Sequence, residues 1–431
     1  MRLGQIAEFR NGVNYNKSSF GKGIKVIGVS DFQDYTKPRY TDLDQINPLG
    51  IVTERNILRD GDIVFVRSNG NRELIGRSLF IEKPPEKITH SAFTIRLRFT
   101  ARDIYPKFYA YCFRSPIIRH AFAAQGSGTN INNLNQDILS QLEVPSPALP
   151  VQRRIADILS VYDDLIENNL KRIKILEEMA WLVYREWFVN FRFPGYERTT
   201  FTSSLLGKTP NGWEIRNLES LMDLHIGGGW GKECIDDKHT ESAYVIRGTD
   251  IPQARLCQVQ DVPYRFHTTS NLQTRRLQSG DIIFEVSGGS KDQPLGRTLI
   301  VTDELLGALK DSPVICASFC KRISPKAEEY GSELMYLSFQ EAYESGEIST
   351  FQVQSTGISN FKWTEYIRQT LRTVPPVTLR SQFRGVCAPM LTQIGLLGLQ
   401  IVNLRKTRDI LLPRLISGQI DLRQMEKPAQ S

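Results

Sequence analysis

Gly61-Asp62-Ile63-Val64-Phe65 returns 219 positions later as Gly280-Asp281-Ile282-Ile283-Phe284. Other matches keep the same order. Val26-Ile27 with Asp31 is answered by Val245-Ile246 with Asp250 at that offset, and Gly76-Arg77 by Gly296-Arg297 at 220. Leu3-Gly-Gln-Ile6 resembles Leu218-Glu-Ser-Leu221, while Gly128, Pro145 and Gln152 match Gly357, Pro375 and Gln382 at 229 to 230. An offset that drifts while the order holds is what small loop insertions on a shared scaffold produce. Two unrelated domains with similar strands would have to reproduce that order by chance.

Each half repeats one plan. Short β-rich runs broken by Gly, Asn and Pro come first, among them Lys25–Val29, Asp62–Val66 and Phe93–Leu97. Helical stretches are expected near Pro106–Ala124 and Ser332–Glu344. Prolines 145, 147 and 150 close the first half, and Pro375-Pro376 the second. A long helical pattern follows each boundary.

Both long patterns are heptad seams. From Val151 to Phe188 the column runs Ile155, Leu159, Tyr162, Ile166, Asn169, Ile173, Leu176, Ala180, Val183, Trp187, with alternating spacings of 4 and 3. The second runs Met390, Ile394, Leu397, Ile401, Leu404, Arg408, Leu411, Leu415, shifted by 228. Asn169, aligned with Leu397, can fix register at some cost in stability. Pro389 is expected to start or kink the second helix, and Pro413 to loosen its last turns. A helix of some 38 residues spans roughly 57 Å, too long to bury its seam on its own small domain. The expected partner of each helix is the other, packed antiparallel through Ile155, Leu159, Ile166, Asn169, Ile173, Leu176, Ile394, Leu397, Ile401, Leu404 and Leu411. An ordinary long helix lying on a core is the competing account, since Tyr162, Leu165, Leu182 and Phe188 widen the apolar stripe. Trp181, Trp187 and Phe188 are read as exposed flanks awaiting a partner.

Composition sets bounds. With 40% hydrophobic and 23% charged residues over 431 positions, the chain is long and apolar enough for several packed domains. No unbroken apolar run of eighteen and no charged-then-apolar leader is evident, so neither a membrane span nor a secretory signal is expected. Six scattered cysteines without a Cys-x-x-Cys pair read as free thiols in a reducing cytoplasm. The net charge of +7 is unevenly spread. Residues 1–148 carry 20 Lys+Arg against 14 Asp+Glu, 149–193 carry 7 against 7, 194–375 carry 19 against 23, and 376–431 carry 8 against 3. A nucleic-acid partner would therefore have to meet a local basic face on the third segment.

Two globular segments, each followed by a long helix, resemble the specificity (S) subunit of type I restriction–modification systems. The resemblance covers essentially the whole chain. It is carried by Leu176-Glu-Glu-Met-Ala180, Arg185-Glu-Trp-Phe188, Phe191 and Phe193-Pro-Gly195, and by Leu404-x-x-x-Arg408-Asp-x-Leu411-Leu-Pro413-x-Leu415-Ile-Ser-Gly418-x-Ile420. Pro210-Asn-Gly-Trp213-Glu with Leu218 is similar to the entry of a target-recognition domain. The family's aromatic-containing entry does not precede Leu3, so the chain is expected to begin almost inside its first recognition domain. The resemblance implies an α+β fold: two related target-recognition domains separated by two long antiparallel coiled-coil helices, a pseudo-two-fold internal repeat. The expected boundaries are 1–148, recognition domain 1; 149–193, central spacer helix; 194–375, recognition domain 2; 376–421, C-terminal spacer helix; and 422–431, tail. It implies double-stranded DNA with a bipartite site as a partner. Modification (methyltransferase) subunits, expected to be two, and restriction/translocase subunits complete the complex. S-adenosylmethionine, ATP and Mg belong to those partners, and no cofactor to this chain.

Base reading needs hydrogen-bonding side chains on a rigid edge that enters the major groove. The first candidate is the loop after each Gly-Asp-Ile strand: Arg67, Ser68, Asn69, Asn71, Arg72 and Arg77 in one half, Ser287, Ser290, Lys291, Gln293 and Arg297 in the other. Its glycines permit close approach, and its polar residues differ between halves, as two different half-sites require. Arg77 and Arg297 are equivalent and suited to phosphates. The second is Gly126–Asn133 against Ser355–Lys362, with Thr129, Asn130, Asn132, Ser359, Asn360 and Lys362. Solvated hairpin tips and helix caps ahead of Leu134–Leu139 and Trp363–Arg368 are the plainer accounts. A third, Asn11–Asn14 against Gly227–Trp230, reads more as a turn than a contact.

Catalytic motifs are absent from the sequence. Neither an Asn/Asp-Pro-Pro-aromatic methyltransferase signature nor a Gly-rich methyl-donor loop occurs. Gly207-Lys208-Thr209 lacks the glycine a phosphate loop needs at Thr202, and Pro210 stands where its helix should begin. Cys316-x-x-x-Cys320 with distant His225, His239 and His267 lacks zinc spacing, and His90 beside Ser91 lacks an orienting acid. The readings left are a DNA-specificity subunit, a fused enzyme disfavoured by the missing motifs, and a coiled-coil scaffold that does not bind DNA sequence-specifically.

Overall fold

A computed structural model describes residues 1–32, 36–68, 74–116, 118, 133–288, 294–310, 312–355, 358–420 and 422. The chain forms two compact units, residues 1–164 with 405–431, and residues 165–404.

In unit 1 the strands are β1 (Ala7–Asn11), β2 (Phe20–Ile27), β3 (Gln45–Ile46), β4 (Ile63–Val66), β5 (Ser78–Phe80), β6 (Ile88–His90) and β7 (Thr94–Phe99). One sheet has the order β1-β7-β4-β5, antiparallel throughout. The other has the order β3-β2-β6, with β2 and β6 parallel. All four β4 residues are buried because the strand has a core on each face. Ile63 and Phe65 point to the core shared with helix α1 (Pro106–Arg114), and Val64 and Val66 to a second core with Ile27, Phe32 and Leu79.

Unit 2 rebuilds this plan. Its strands β8 (Met222–Gly227), β9 (Glu241–Ile246), β10 (Tyr264–His267), β11 (Ile282–Glu285), β12 (Ser287–Gly288), β13 (Thr298–Ile300), β14 (Val314–Cys316) and β15 (Cys320–Pro325) include sheets ordered β8-β15-β11-β13 and β10-β9-β14. The β9–β14 pair is again parallel. Two further strands, β16 (Gln352–Ser355) and β17 (Ile358–Phe361), join β12. The repeat read from residues is therefore a repeat of strand order and register.

The Gly-Asp motif that announces the repeat is a structural corner. Gly61 and Gly280 take φ of 86° and 90°, which favour glycine. Asp62 accepts from the Arg59 amide at 2.7 Å and from the Arg98 guanidinium twice at 2.7 Å. Asp281 accepts from the Gln278 amide at 2.7 Å, from Arg322 at 2.8 Å and from the Ser324 hydroxyl at 2.5 Å. The arginine has moved two places along the strand, keeping the same face.

Helix α2 (Leu149–Tyr184) continues through a widened turn at Arg185–Val189, close to the expected span. Helix α4 (Val377–Ile416) begins at Val377, well before Pro389, and stays helical to Ile416 past Pro413. Between them in sequence, α3 spans Ser332–Glu344. Within unit 1, Asp163 on α2 accepts from Arg408 on α4 at 2.6 Å. Within unit 2, Asn169 donates to Gln400 at 3.3 Å, and Tyr184 and Phe188 meet Phe383 at 6.4 and 4.8 Å. Ile155, Leu159, Ile166, Ile173, Ile394, Leu397 and Ile401 are buried, while Leu176, Leu404 and Leu411 are partly buried against the cores.

Helix α4 is long and apolar enough to cross a membrane by length and composition, unlike the sequence expectation. Packing supplies a reason: Cβ atoms on Gly395 and Gly398 would lie 2.9 Å from Glu304 and 2.4 Å from the Leu256 carbonyl oxygen. The helix thus lies against this segment as well as against α2. Phe188 is not the exposed flank expected, being 7% exposed among Trp187, Trp213 and Phe383. Trp181 helps line a cavity of about 360 Å³ with Arg255, Tyr336 and Leu391.

Candidate DNA interface

The turn joining β6 to β7 in unit 1, and its counterpart joining β14 to β15 in unit 2, gathers segments that are far apart in sequence. Ser91 donates its amide to Ile27 and Thr94 donates to Ser91, both at 2.9 Å; Ala317 donates to Ile246 and Cys320 to Ala317, both at 2.8 Å. The glycine-rich third candidate buttresses this turn. Gly12 donates to Thr94 at 3.2 Å and Val13 to His90 at 2.8 Å; Gly228 donates to Cys320 at 3.0 Å and Gly229 to Cys316 at 2.9 Å. A Cβ on Gly12 would lie 2.2 Å from the His90 and Ser91 carbonyl oxygens, and one on Gly228 2.1 Å from that of Cys316. Only glycine fits between these backbones, so this segment is a support, where the sequence alone reads as a turn.

The first candidate loop leaves from the same place. Arg67 and Ser68 donate their amides to the Phe93 carbonyl at 2.8 and 3.4 Å; Val286 and Ser287 donate to Phe319 at 2.9 and 3.2 Å. The second candidate in unit 2, and the residue that follows it in unit 1, meet it there. Leu134 donates to the Arg67 carbonyl at 2.8 Å, and Phe361 to Val286 at 2.9 Å. In unit 2 the contact becomes a ladder, Ser287 opposite Asn360 and Gly288 opposite Ser359, with the Ser287 hydroxyl donating to the Asn360 carboxamide at 2.9 Å. In unit 2 the two candidate segments thus share one platform, and in unit 1 Leu134, the residue after the second candidate, meets the base of the first.

Individual side chains fare differently. Arg67, Ser68, Arg77, Ser287 and Ser359 are half-buried, and Asn360 and Lys362 are exposed, with Lys362 pairing Glu365 at 3.1 Å. Arg297 is committed to Glu285 through bonds of 2.8 and 2.6 Å, with its side chain 13% exposed. Glu285 replaces Val66 of the first half, so Arg77 and Arg297 occupy matched backbone positions in unlike surroundings. Asn69, Asn71, Arg72, Thr129, Asn130, Asn132, Ser290, Lys291 and Gln293 lie outside the described residues. Asn135 caps the helix Gln136–Gln141, accepting from the Ile138 amide at 2.8 Å, whereas Lys362 gives no side-chain cap to Trp363–Gln369.

The pairs set aside in the sequence, His90–Ser91 as a nucleophile and Cys316–Cys320 as zinc ligands, are both buried. His90 is fully buried, its Nδ1 2.9 Å from the Thr94 hydroxyl, and burial pushes its pKa down to about 3. Burial pushes the Cys316 and Cys320 thiols up, away from the reactive thiolate.

Sequence reasoning missed two residues at the crest of this turn. Phe93 is 61% exposed and Phe319 58% exposed, at the same place in their respective units. The signal was present: Ser91-Ala92-Phe93 aligns with Ala317-Ser318-Phe319 at an offset of 226, within the drift of the repeat. It passed for two ordinary strand entries. The Asp163 network, in which Tyr111, Arg114 and Arg408 meet one carboxylate at 2.8, 3.5 and 2.6 Å, was also missed.

Comparison with known proteins places residues 1–178 in the type I restriction modification DNA specificity domain family. The type I restriction enzyme MjaIX specificity subunit of Methanocaldococcus jannaschii is 24% identical over 335 residues, 75% of this chain and 72% of that protein. The EcoKI specificity subunit of Escherichia coli K12 is 23% identical over 291 residues, 64% of this chain and 57% of the other. A crystal structure of the type I restriction–modification S subunit from M. genitalium covers 96% of this chain and 95% of its own, with TM-score 0.55 and 12% identity. At that identity the match speaks for the fold.

Proposed function

The chain belongs to the family of type I restriction–modification specificity subunits, and from that premise we propose that its two units divide the reading of one bipartite DNA site. One observation carries the proposal: the same turn, held by corresponding hydrogen bonds in both units, supports polar loops of different composition. A constant platform with variable tips is what two unlike half-sites require. Loop side chains make the discriminating contacts in the major groove, and arginines and lysines around them hold phosphates. Arg67, Ser68, Asn69, Asn71, Arg72, Arg77, Thr129, Asn130 and Asn132 serve one half-site. Ser287, Ser290, Lys291, Gln293, Ser359, Asn360 and Lys362 serve the other, with Arg297 holding the loop base through Glu285.

The long helices act as the spacer. They pair antiparallel with pseudo-two-fold symmetry and fix the separation of the half-sites, a reading supported by Asp163 with Arg408, Asn169 with Gln400 and Phe188 with Phe383. Their outer faces dock the modification subunits, two per complex, and restriction/translocase subunits join them. Specificity subunits are in general non-catalytic. S-adenosylmethionine, ATP and Mg then belong to the partners, and the assembly works in the cytoplasm, where the free cysteines are at home.

Co-expression with a modification subunit, followed by sequencing of methylated adenines in host DNA, tests the reading. Two short specified pieces around a fixed gap are expected. A continuous motif would overturn the bipartite assignment. A stable complex that neither methylates nor binds DNA in a salt-dependent manner would favour a scaffold alone.

A further inference from the structure

We propose that Phe93 and Phe319 are paired wedges, one per unit, that insert against the base stack of each half-site and unstack a base step. The inference rests on the reading of the units as half-site readers and adds an operation common to both. Each ring is mostly exposed, although water around a phenyl ring is unfavourable. Each sits on a turn whose backbone is tied to three other segments: the glycine support, the strand exit at Arg67–Ser68 or Val286–Ser287, and the strand end at Ile27 or Ile246. The ring is thus presented on a rigid platform, and inserting it would require no reordering of the turn.

The chemistry of the residue narrows its role. A phenyl ring has no hydrogen-bonding group and cannot read the donor and acceptor pattern of a base pair. The same residue stands in both units while the loops beside it differ, so it cannot be what distinguishes one half-site from the other. An apolar side chain on a turn bonded to the base of a polar loop suits deformation of the stack, as apolar wedges do where they enter a base step. A protein-docking role fits less well. The Phe93 carbonyl accepts from the amides of Arg67 and Ser68, and the Phe319 carbonyl from those of Val286 and Ser287, so each phenylalanine is tied to the base of a polar loop. A docking surface would gather several apolar residues into one patch.

The test uses the full-length chain assembled with its modification subunits and a duplex carrying the site found by methylation sequencing. 2-Aminopurine replaces one adenine at a time across both halves, and its fluorescence reports unstacking. The wild-type complex should brighten at one or more positions in each half. Phe93→Ala should abolish the rise in one half and leave the other, Phe319→Ala should do the reverse, and each should weaken site binding by about tenfold, the loss of one aromatic stack. Phe→Trp at either position should retain the signal. Fluorescence and affinity unchanged in both alanine variants would overturn the wedge and leave half-site reading intact. Loss of assembly with the modification subunits, seen by size-exclusion chromatography before DNA is added, would assign the rings to a protein contact and also overturn it. A wild-type complex that shows no site-selective binding would overturn the reading itself, and the wedge with it.

Discussion

Glycine, histidine and phenylalanine define the turn platform one residue at a time. Gly12 and Gly228 matter for what they lack. A methyl group at either would collide with carbonyl oxygens at 2.2 or 2.1 Å, and the turn cannot move without breaking its own bonds. Gly228→Ala should therefore lower stability by about 2 kcal/mol or more and weaken reading of one half-site only. A variant with wild-type melting and unchanged DNA affinity would contradict this. His90 makes the platform of unit 1 sensitive to pH. Its pKa falls from 6.5 to about 3 in the folded protein because burial penalises the imidazolium. Below 6.5 the unfolded chain takes up a proton that the folded chain refuses, so this contribution is complete above 6.5 and is lost as the pH falls toward 3, by at most about 1.4 kcal/mol per pH unit. Urea midpoints between pH 7 and 5 should fall for the wild type and fall less for His90→Gln. Equal slopes would show that the imidazole does not supply the dependence. None of this was legible in the residues alone, where Gly12 read as a turn and His90 as half of a nucleophile pair with Ser91 that lacked an orienting acid.

At the scale of elements, the long helices were legible in period and nearly in extent. The polar contacts that align them were only half visible. Asn169 announced itself by breaking an apolar column, but its partner Gln400 lies off the opposite seam. Asp163 was passed over because it follows Tyr162, the residue the heptad nominates. In the structure Asp163 is 13% exposed and bound by Arg408, Arg114 and Tyr111. Burial alone would raise its pKa, but the two guanidiniums hold it below the usual carboxylate value. Asp163→Asn should cost about 3 kcal/mol by removing the carboxylate paired with Arg114 and leaving Arg408 with only the exposed Asp409. Asp163→Leu combined with Arg408→Met and Arg114→Met should recover much of that, as thermal melting would reveal; equal losses in both variants would show that charge pairing is not the cause. Helix length carries the functional prediction. Removing one heptad from each long helix shortens the pair by roughly 10 Å, about three base pairs at 3.4 Å per step. Methylation sequencing should then show an unchanged pair of half-sites with a shorter gap, and an unchanged gap would remove the helices from the role of spacer.

For the whole molecule, duplication is the governing fact. If each unit reads its own half-site, exchanging residues 1–148 for the matching segment of a relative should change one half of the methylated motif and leave the other. A change in both halves would overturn the modular account. The sequence alone determined the duplication, the heptad seams and the position of the polar loops, because each depends on period and order along the chain. Backbone turn chemistry and the order of residue types along the chain are local, so Gly61-Asp62-Ile63 and Gly280-Asp281-Ile282 could be matched without coordinates. Tertiary structure alone decided that the loops after β4 and β11 share a platform with segments some 70 residues further on, and that the Gly-Asp corner is structural. It also decided that Arg297 is spent on Glu285 while Phe93 and Phe319 stand in water. Those outcomes turn on hydrogen bonds and burial between residues distant in sequence, and an exposed phenylalanine is written with the same letter as a buried one.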